Sequence, residues 1–241
     1  MPVQVDHDAR RAQLAQAVWR IVVRDGVRGA SVRGVAREAG LSMGSVRHFF
    51  GTQEELLLFA VQEVVSQASR RIEAGAQART SAVDQGRPLD AAVALLEEVL
   101  PLDEERQVEA MVWAAFTAPP VTDPSMAAIR RQVDDDIRQL CRDTLTGLAE
   151  LGLLHPARDV AVEVERVHAL LDGLTMHMLL DPAQTPADRV RPVLLTHVGD
   201  LGTPPNRYLW PSRNIEAPGG VPPVTGLRAS RMPGTGRGRT S

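Results

Sequence analysis

Not one lysine occurs in the 241 residues, so all 27 basic side chains are arginines. A phosphate-binding loop of the G-x-x-x-x-G-K-[ST] kind is therefore impossible. Aromatic side chains are scarce at 3%. The core must then be built from Leu, Val and Ala, a palette that favours packed helices over a β-sandwich. Cys141 stands alone, which excludes an intramolecular disulfide and fits a reducing cytoplasm; a small buried apolar side chain is its expected role. No N-terminal run reads charged, then apolar, then small, and no stretch approaches the roughly 18–20 apolar residues of a membrane span. There is no internal repeat and no alternating strand pattern. H-E-x-x-H is missing, and His168 and His177 lack partners at metal-ligand spacing. Neither an enzyme, a metal site nor a cofactor is expected.

What is present is a charge asymmetry. The net charge is only −3, but residues 1–51 carry eight arginines against four acids, and residues 203–241 carry six against Glu216. Between these basic ends lies a strongly acidic body. A polyanion confined to one end is the partner this pattern suggests.

Helical periodicity runs from residue 8 to residue 200. The first helix spans about 9–24, with Leu14, Val18, Ile21 and Val22 on one face and Gly26 stopping it. Ser31 caps a second helix, in which Val32, Val35, Ala36 and Ala39 form a buried stripe. Gly40 ends it, Ser42 caps a short third helix over about 43–50, and a fourth follows over about 52–75. Polar Gln77–Pro88 reads as a loop. Further helices are expected near 89–100, 104–117, 125–151, 160–180 and 187–201, the last opened by Thr185, Pro186 and Asp188. From residue 203 to 241 Pro, Gly, Ser and Arg dominate, so this tail is expected to be disordered, with Tyr208-Leu209-Trp210 its one docking candidate.

The informative stretch is SVRGVAREAGLSMGSVRHFF, Ser31 to Phe50. Two short helices meet at a tight turn in which Gly40 supplies the left-handed conformation. Val35, Ala36, Leu41, Val46 and Phe50 form a small core, which leaves Met43, Gly44, Ser45, Arg47 and His48 outward on a helix narrow enough for a major groove about 12 Å wide.

With the Arg24-Asp25-Gly26 helix end, SVRGVAREAGLS, GSVRHFF and the TQEELL start of the fourth helix, residues 11–64 resemble the DNA-binding domain of the tetracycline-repressor (TetR) family of regulators. The match covers roughly a quarter of the chain. LLDGLTMHMLL and the helix after it resemble the closing helix pair of the family's choline-responsive, BetI-like branch. The resemblance implies an all-α fold. A three-helix helix-turn-helix domain over 8–68 would precede a ligand-binding and dimerisation domain of about six helices over 69–202, and the tail. It also implies an operator-binding homodimer, a ligand-responsive repressor by preference, with an activator or architectural protein without effector as the alternative. The partners are double-stranded DNA, a second copy and a small effector, with no membrane. Three positions depart from the family pattern: Arg47 where Tyr is usual, Phe49 where His or Tyr is usual, and Gln53 where Lys is usual.

The candidate DNA-contacting residues are thus Ser31, Arg33, Ser42, Met43, Gly44, Ser45, Arg47, His48, Phe49 and Gln53. For the dimer seam the candidates are two apolar stripes, Val164, Val167, Leu171, Leu174 and Met178, then Val190, Leu194, His197, Val198 and Leu201; monomer core is the competing reading. For the effector pocket they are Met111, Trp113, Phe116, Met176 and His177, since rare aromatics and methionines suit adaptable cavities and Trp113 can stabilise a cation.

Overall fold

The computed structural model describes residues 2–117 and 124–203, and all regular structure among them is helical. The helices are α1 Pro2–Asp25, α2 Val32–Ala39, α3 Met43–Phe49, α4 Gln53–Ala74, α5 Ala76–Asp84, α6 Pro88–Glu97, α7 Glu104–Thr117, α8 Pro124–Glu150, α9 Val160–Leu180 and α10 Ala187–Asp200.

Local chemistry sets most boundaries. Ser31, Ser42, Thr52 and Asp159 each accept a backbone N–H from the first turn of α2, α3, α4 and α9. Glu55 returns a carboxylate oxygen to the Gly51 N–H at 2.8 Å, tightening the start of α4. Gly40 ends α2 at φ 69°, and the Leu41 N–H then reaches back to Ala36 O at 2.8 Å.

Two apolar clusters follow. One joins α1 to α4 around Leu14, Val18, Ile21, Val35, Val46 and Leu56, and takes in Val112 from α7. The other joins α6, α8, α9 and α10 around Leu96, Leu145, Leu171 and Leu194. The buried Trp19 Nε1–H donates to Ala60 O at 2.8 Å and pins α1 to α4. Leaving that donor unpaired would cost about 1–3 kcal/mol.

Three expectations change. Residues 76–84 form helix α5 rather than a loop. That helix buries no residue, so no apolar stripe announces it, and it lies along α6 through small side chains. The boundary expected after residue 68 falls inside α4, which continues unbroken to Ala74. Lastly, Val164, Val167, Leu171, Leu174, Met178, Val190, Leu194, Val198 and Leu201 are all buried in the protomer's own second cluster. They are core rather than seam, because side chains already covered by α6 and α8 leave nothing for a second copy to cover. The tail beyond residue 203, with Tyr208-Leu209-Trp210, lies outside the described residues. Thr203 itself accepts from Arg158 Nε at 3.1 Å.

Cys141 is fully buried, and burial pushes its thiol up to about 12. A thiol held that high stays protonated near neutral pH, which argues against redox sensing.

Core and seam predict different outcomes for one substitution. Leu171→Glu forces a charge into the second cluster, so it should abolish cooperative urea unfolding and the native circular dichroism signal. A folded, soluble monomer with wild-type helicity would return Leu171 to an interface.

Candidate nucleic-acid interface and cavity

The α2–α3 corner is rigid for its size. Both caps are intact, Val46 and Phe50 are buried, and Gln13 Nε2 donates to Ala39 O at 3.0 Å, tying α1 to the turn. Out of this corner α3 presents Met43, 45% exposed, with Gly44, Arg47 and His48 also exposed. Arg33 is exposed one helix earlier. Arg28, Arg33, Arg37 and Arg47 have no acidic partner within 4 Å among the described residues, so their charge is available to an outside anion.

Other candidates have partners inside the protein. The Ser31 and Ser42 hydroxyls serve as caps, and Ser45 is half-buried with its N–H on Ser42. Phe49 is half-buried, 4.7 Å from the His7 ring and 5.4 Å from His48. Gln53 Nε2 donates to Ala30 O at 3.1 Å, which leaves its second amide hydrogen for a phosphate.

Charge in the head is partly spent. Arg20 and Arg24 both bind Glu38, at 2.9 and 3.1 Å, and hold its carboxyl below the usual carboxylate range. The Arg11 guanidinium lies over the rings of Phe59 and Phe50, at 4.4 and 4.8 Å. The sequence reading missed that contact, because the two rings are brought together only when α4 packs on α3.

In the body, a cavity of about 210 Å3 opens between α4, α7, α8 and α9. Val64, Ala68, Ile72, Ile137, Leu140 and Trp113 give it an apolar lining. Of the five residues expected to form an effector pocket, only Trp113 lines it. Phe116 packs against the head cluster instead, Met111 is half-buried away from the cavity, and Met176 and His177 are exposed on α9. Rarity of a side chain was a poor guide, since ordinary aliphatics from α4, α7, α8, α9 and the α6–α7 connection make up more than half of the lining.

The cavity's polar groups were not foreseen either. Arg71 on α4 forms a two-pronged pair with Glu109 on α7, both bonds at 2.7 Å. Glu98 lies 3.8 Å from both Arg71 and Arg106. Asp136 and Asp172 are exposed at the cavity's rim, with no arginine within 4 Å among the described residues. Burial raises the Asp172 carboxyl above its usual value, although nearby His168 opposes the rise. His168 is itself buried between Asp134, at 3.6 Å, and Asp172, at 3.8 Å. His197 is half-buried, and burial lowers its imidazole below the ordinary value. Among the described residues no three His, Cys, Asp or Glu side chains are grouped to hold a metal ion, and no helix is long and apolar enough to cross a membrane.

Comparison with known proteins agrees with this layout. The family model described as BetI-type transcriptional repressor, C-terminal, matches residues 88–203. Over 201 residues the chain is 39% identical to the HTH-type transcriptional regulator PksA of Bacillus subtilis (strain 168), covering 83% of this chain and 94% of that one. A transcriptional regulator from Rhodococcus sp. Rha1 superposes with a TM-score of 0.66 at 31% identity, over 79% of this chain and 95% of its own. Another, from Saccharomonospora viridis and solved in complex with choline, gives a TM-score of 0.67 at 21% identity over 79% and 96%, a likeness of fold.

Arg47→Ala should weaken binding to a duplex selected from a random pool by the wild-type protein at least tenfold, without loss of helicity. If the contact is to phosphate, the slope of log affinity against log salt should fall by about one. Wild-type affinity in a gel-shift titration would show that this face of α3 does not meet DNA.

Proposed function

Because this chain belongs to the TetR family of transcriptional regulators, we propose that it is a cytoplasmic, ligand-responsive repressor that grips a palindromic operator as a homodimer and lets go when a small molecule fills the α4–α7–α8–α9 cavity. The carrying observation is the pairing of a rigid, cation-bearing α3 face with a cavity walled by the same α4 that the head is packed on. Without the cavity, an activator or architectural protein with no effector would fit equally well.

Two-fold DNA sites need a two-fold protein, with reading helices about 34 Å apart. The face for self-association is the one the protomer leaves open. On α9 this is Val162, Ala169, Gly173, Met176 and Leu180, spaced seven, four, three and four apart as in a helix–helix seam. Val162, Met176 and Leu180 are 54%, 44% and 75% exposed, and α10 adds Val193 and Leu195. A Cβ on Gly173 would meet nothing within 4 Å in the protomer, so a partner helix has room to come close there.

The effector reading is a small ligand with a cationic group. The acidic rim of Asp136 and Asp172 draws a cation in, and Trp113 offers it a ring face. The choline bound by the Saccharomonospora viridis regulator is a ligand of that type. Release requires only that the ligand favour the form whose heads are wrongly spaced, by a coupling of about 1–3 kcal/mol.

The double substitution Met176→Glu, Leu180→Glu tests the dimer. Sedimentation should show a monomer with native circular dichroism and at least tenfold weaker operator binding. A dimer that survives both charges would place the seam elsewhere.

A further inference from the structure

A second cavity, of about 280 Å3, lies between α5, α6 and α10, and shares no lining residue with the first. Its walls are Arg79, Arg87 and Arg191 with a single acid, Asp90, over a floor of Ala78, Ala82, Ala91 and Ala94. The lining therefore carries a net positive charge in the middle of an acidic body.

The arginines are not saturated by their neighbours. Asp90 is 3.9 Å from Arg87 Nη1 and 3.9 Å from Arg191 Nη2, beyond hydrogen-bond reach of either. Arg191 commits Nη1 to Glu97 at 2.6 Å, and Arg87 commits Nη2 to Gln85 at 2.6 Å. A guanidinium has five N–H donors in a planar fork, so each keeps most of its donors. Arg79 is half-buried, with Nη2 donating to Ile72 O. Two arginines, one at the cap of α6 and one on α10, thus straddle one carboxylate too distant to satisfy them, an arrangement that matches a carboxylate or phosphate inserted between them.

Size says more about the ligand. At about 280 Å3 the groove holds more than a bare inorganic anion fills. Four alanine methyls on two facing helices form a shallow apolar floor for the remainder.

We propose that this cavity is a binding site for a small organic anion, a carboxylate or phosphate held between Arg87 and Arg191 with a compact apolar body seated on the alanines. Such a ligand would bridge α6 and α10 to α5, the helix that continues from α4 at Gly75. It would act as an input separate from the cation taken by the first cavity.

The test is calorimetric titration of the full-length protein with phenyl phosphate, inorganic phosphate and benzylamine at low salt. Phenyl phosphate should bind at least tenfold more tightly than inorganic phosphate, and benzylamine should not compete with it. In Arg87→Gln, Arg191→Gln, both exposed positions, phenyl phosphate affinity should fall at least tenfold while native circular dichroism and operator binding stay at wild-type values, even though the lost Arg191–Glu97 pair lowers the melting temperature. Equal affinity for phenyl phosphate and bare phosphate would overturn the assignment of the alanine floor, and with it the ligand class. No binding at millimolar concentration, or binding unchanged in the double variant, would overturn the site. Neither result touches the repressor reading, which stands or falls on the first cavity and α3.

Discussion

Helix α4 has two sets of neighbours, and most of what this protein can do depends on that. Its 22 residues span about 33 Å. The N-terminal half is inside the head, where Leu56, Ala60 and Val64 are buried and Trp19 is hydrogen-bonded to Ala60. The C-terminal half walls the cavity through Ala68, Arg71 and Ile72. A helix this well packed at one end moves as a rod, so a displacement at Arg71 arrives at the reading head. Helix α7 repeats the arrangement: Val112 is buried against the head while Trp113 faces the cavity. The Arg71–Glu109 pair clamps the two helices together. Glu109 is only 4% exposed, and removing one partner of such a pair typically costs about 3–5 kcal/mol.

Electrostatics in the head are more selective than composition suggests. Arg20 and Arg24 are neutralised by Glu38 and Asp25, and Arg11 is held over two phenylalanine rings. These arginines shape the head rather than reach for phosphate. Arg28, Arg33, Arg37 and Arg47 remain as the usable positive surface. Binding carried by so few charges should have a shallow salt slope and depend heavily on α3 for its orientation.

The head was legible from sequence because its signals are local. Ser31, Gly40 and Ser42 each act within one turn of their own position, and the structure confirms every one of these caps and ends. Helix α9 was read at its observed bounds for the same reason. Helix α5 was missed because it buries nothing, so hydrophobic periodicity had nothing to report. The stripes on α9 and α10 were correctly seen as apolar. Periodicity shows that a face is covered, but not whether α6 and α8 or a second copy covers it; the smaller Val162–Leu180 stripe emerges only once the protomer's own contacts are subtracted. Cavity residues were the least visible, since Arg71 and Glu109 are 38 residues apart and Asp136 and Asp172 are 36 apart. No local pattern predicts their convergence.

Transmission along α4 can be measured without knowing the effector. Glu109→Gln loosens the clamp from the α7 side, far from α3, while keeping the side chain's size. Fluorescence anisotropy with a duplex selected by the wild-type protein should then show operator affinity shifted at least fivefold, the lower end of typical coupling between sites, in a protein that remains folded and dimeric. Unchanged affinity in such a protein would mean that the cavity wall and the reading head are not mechanically linked, and would contradict α4 as the connection between them.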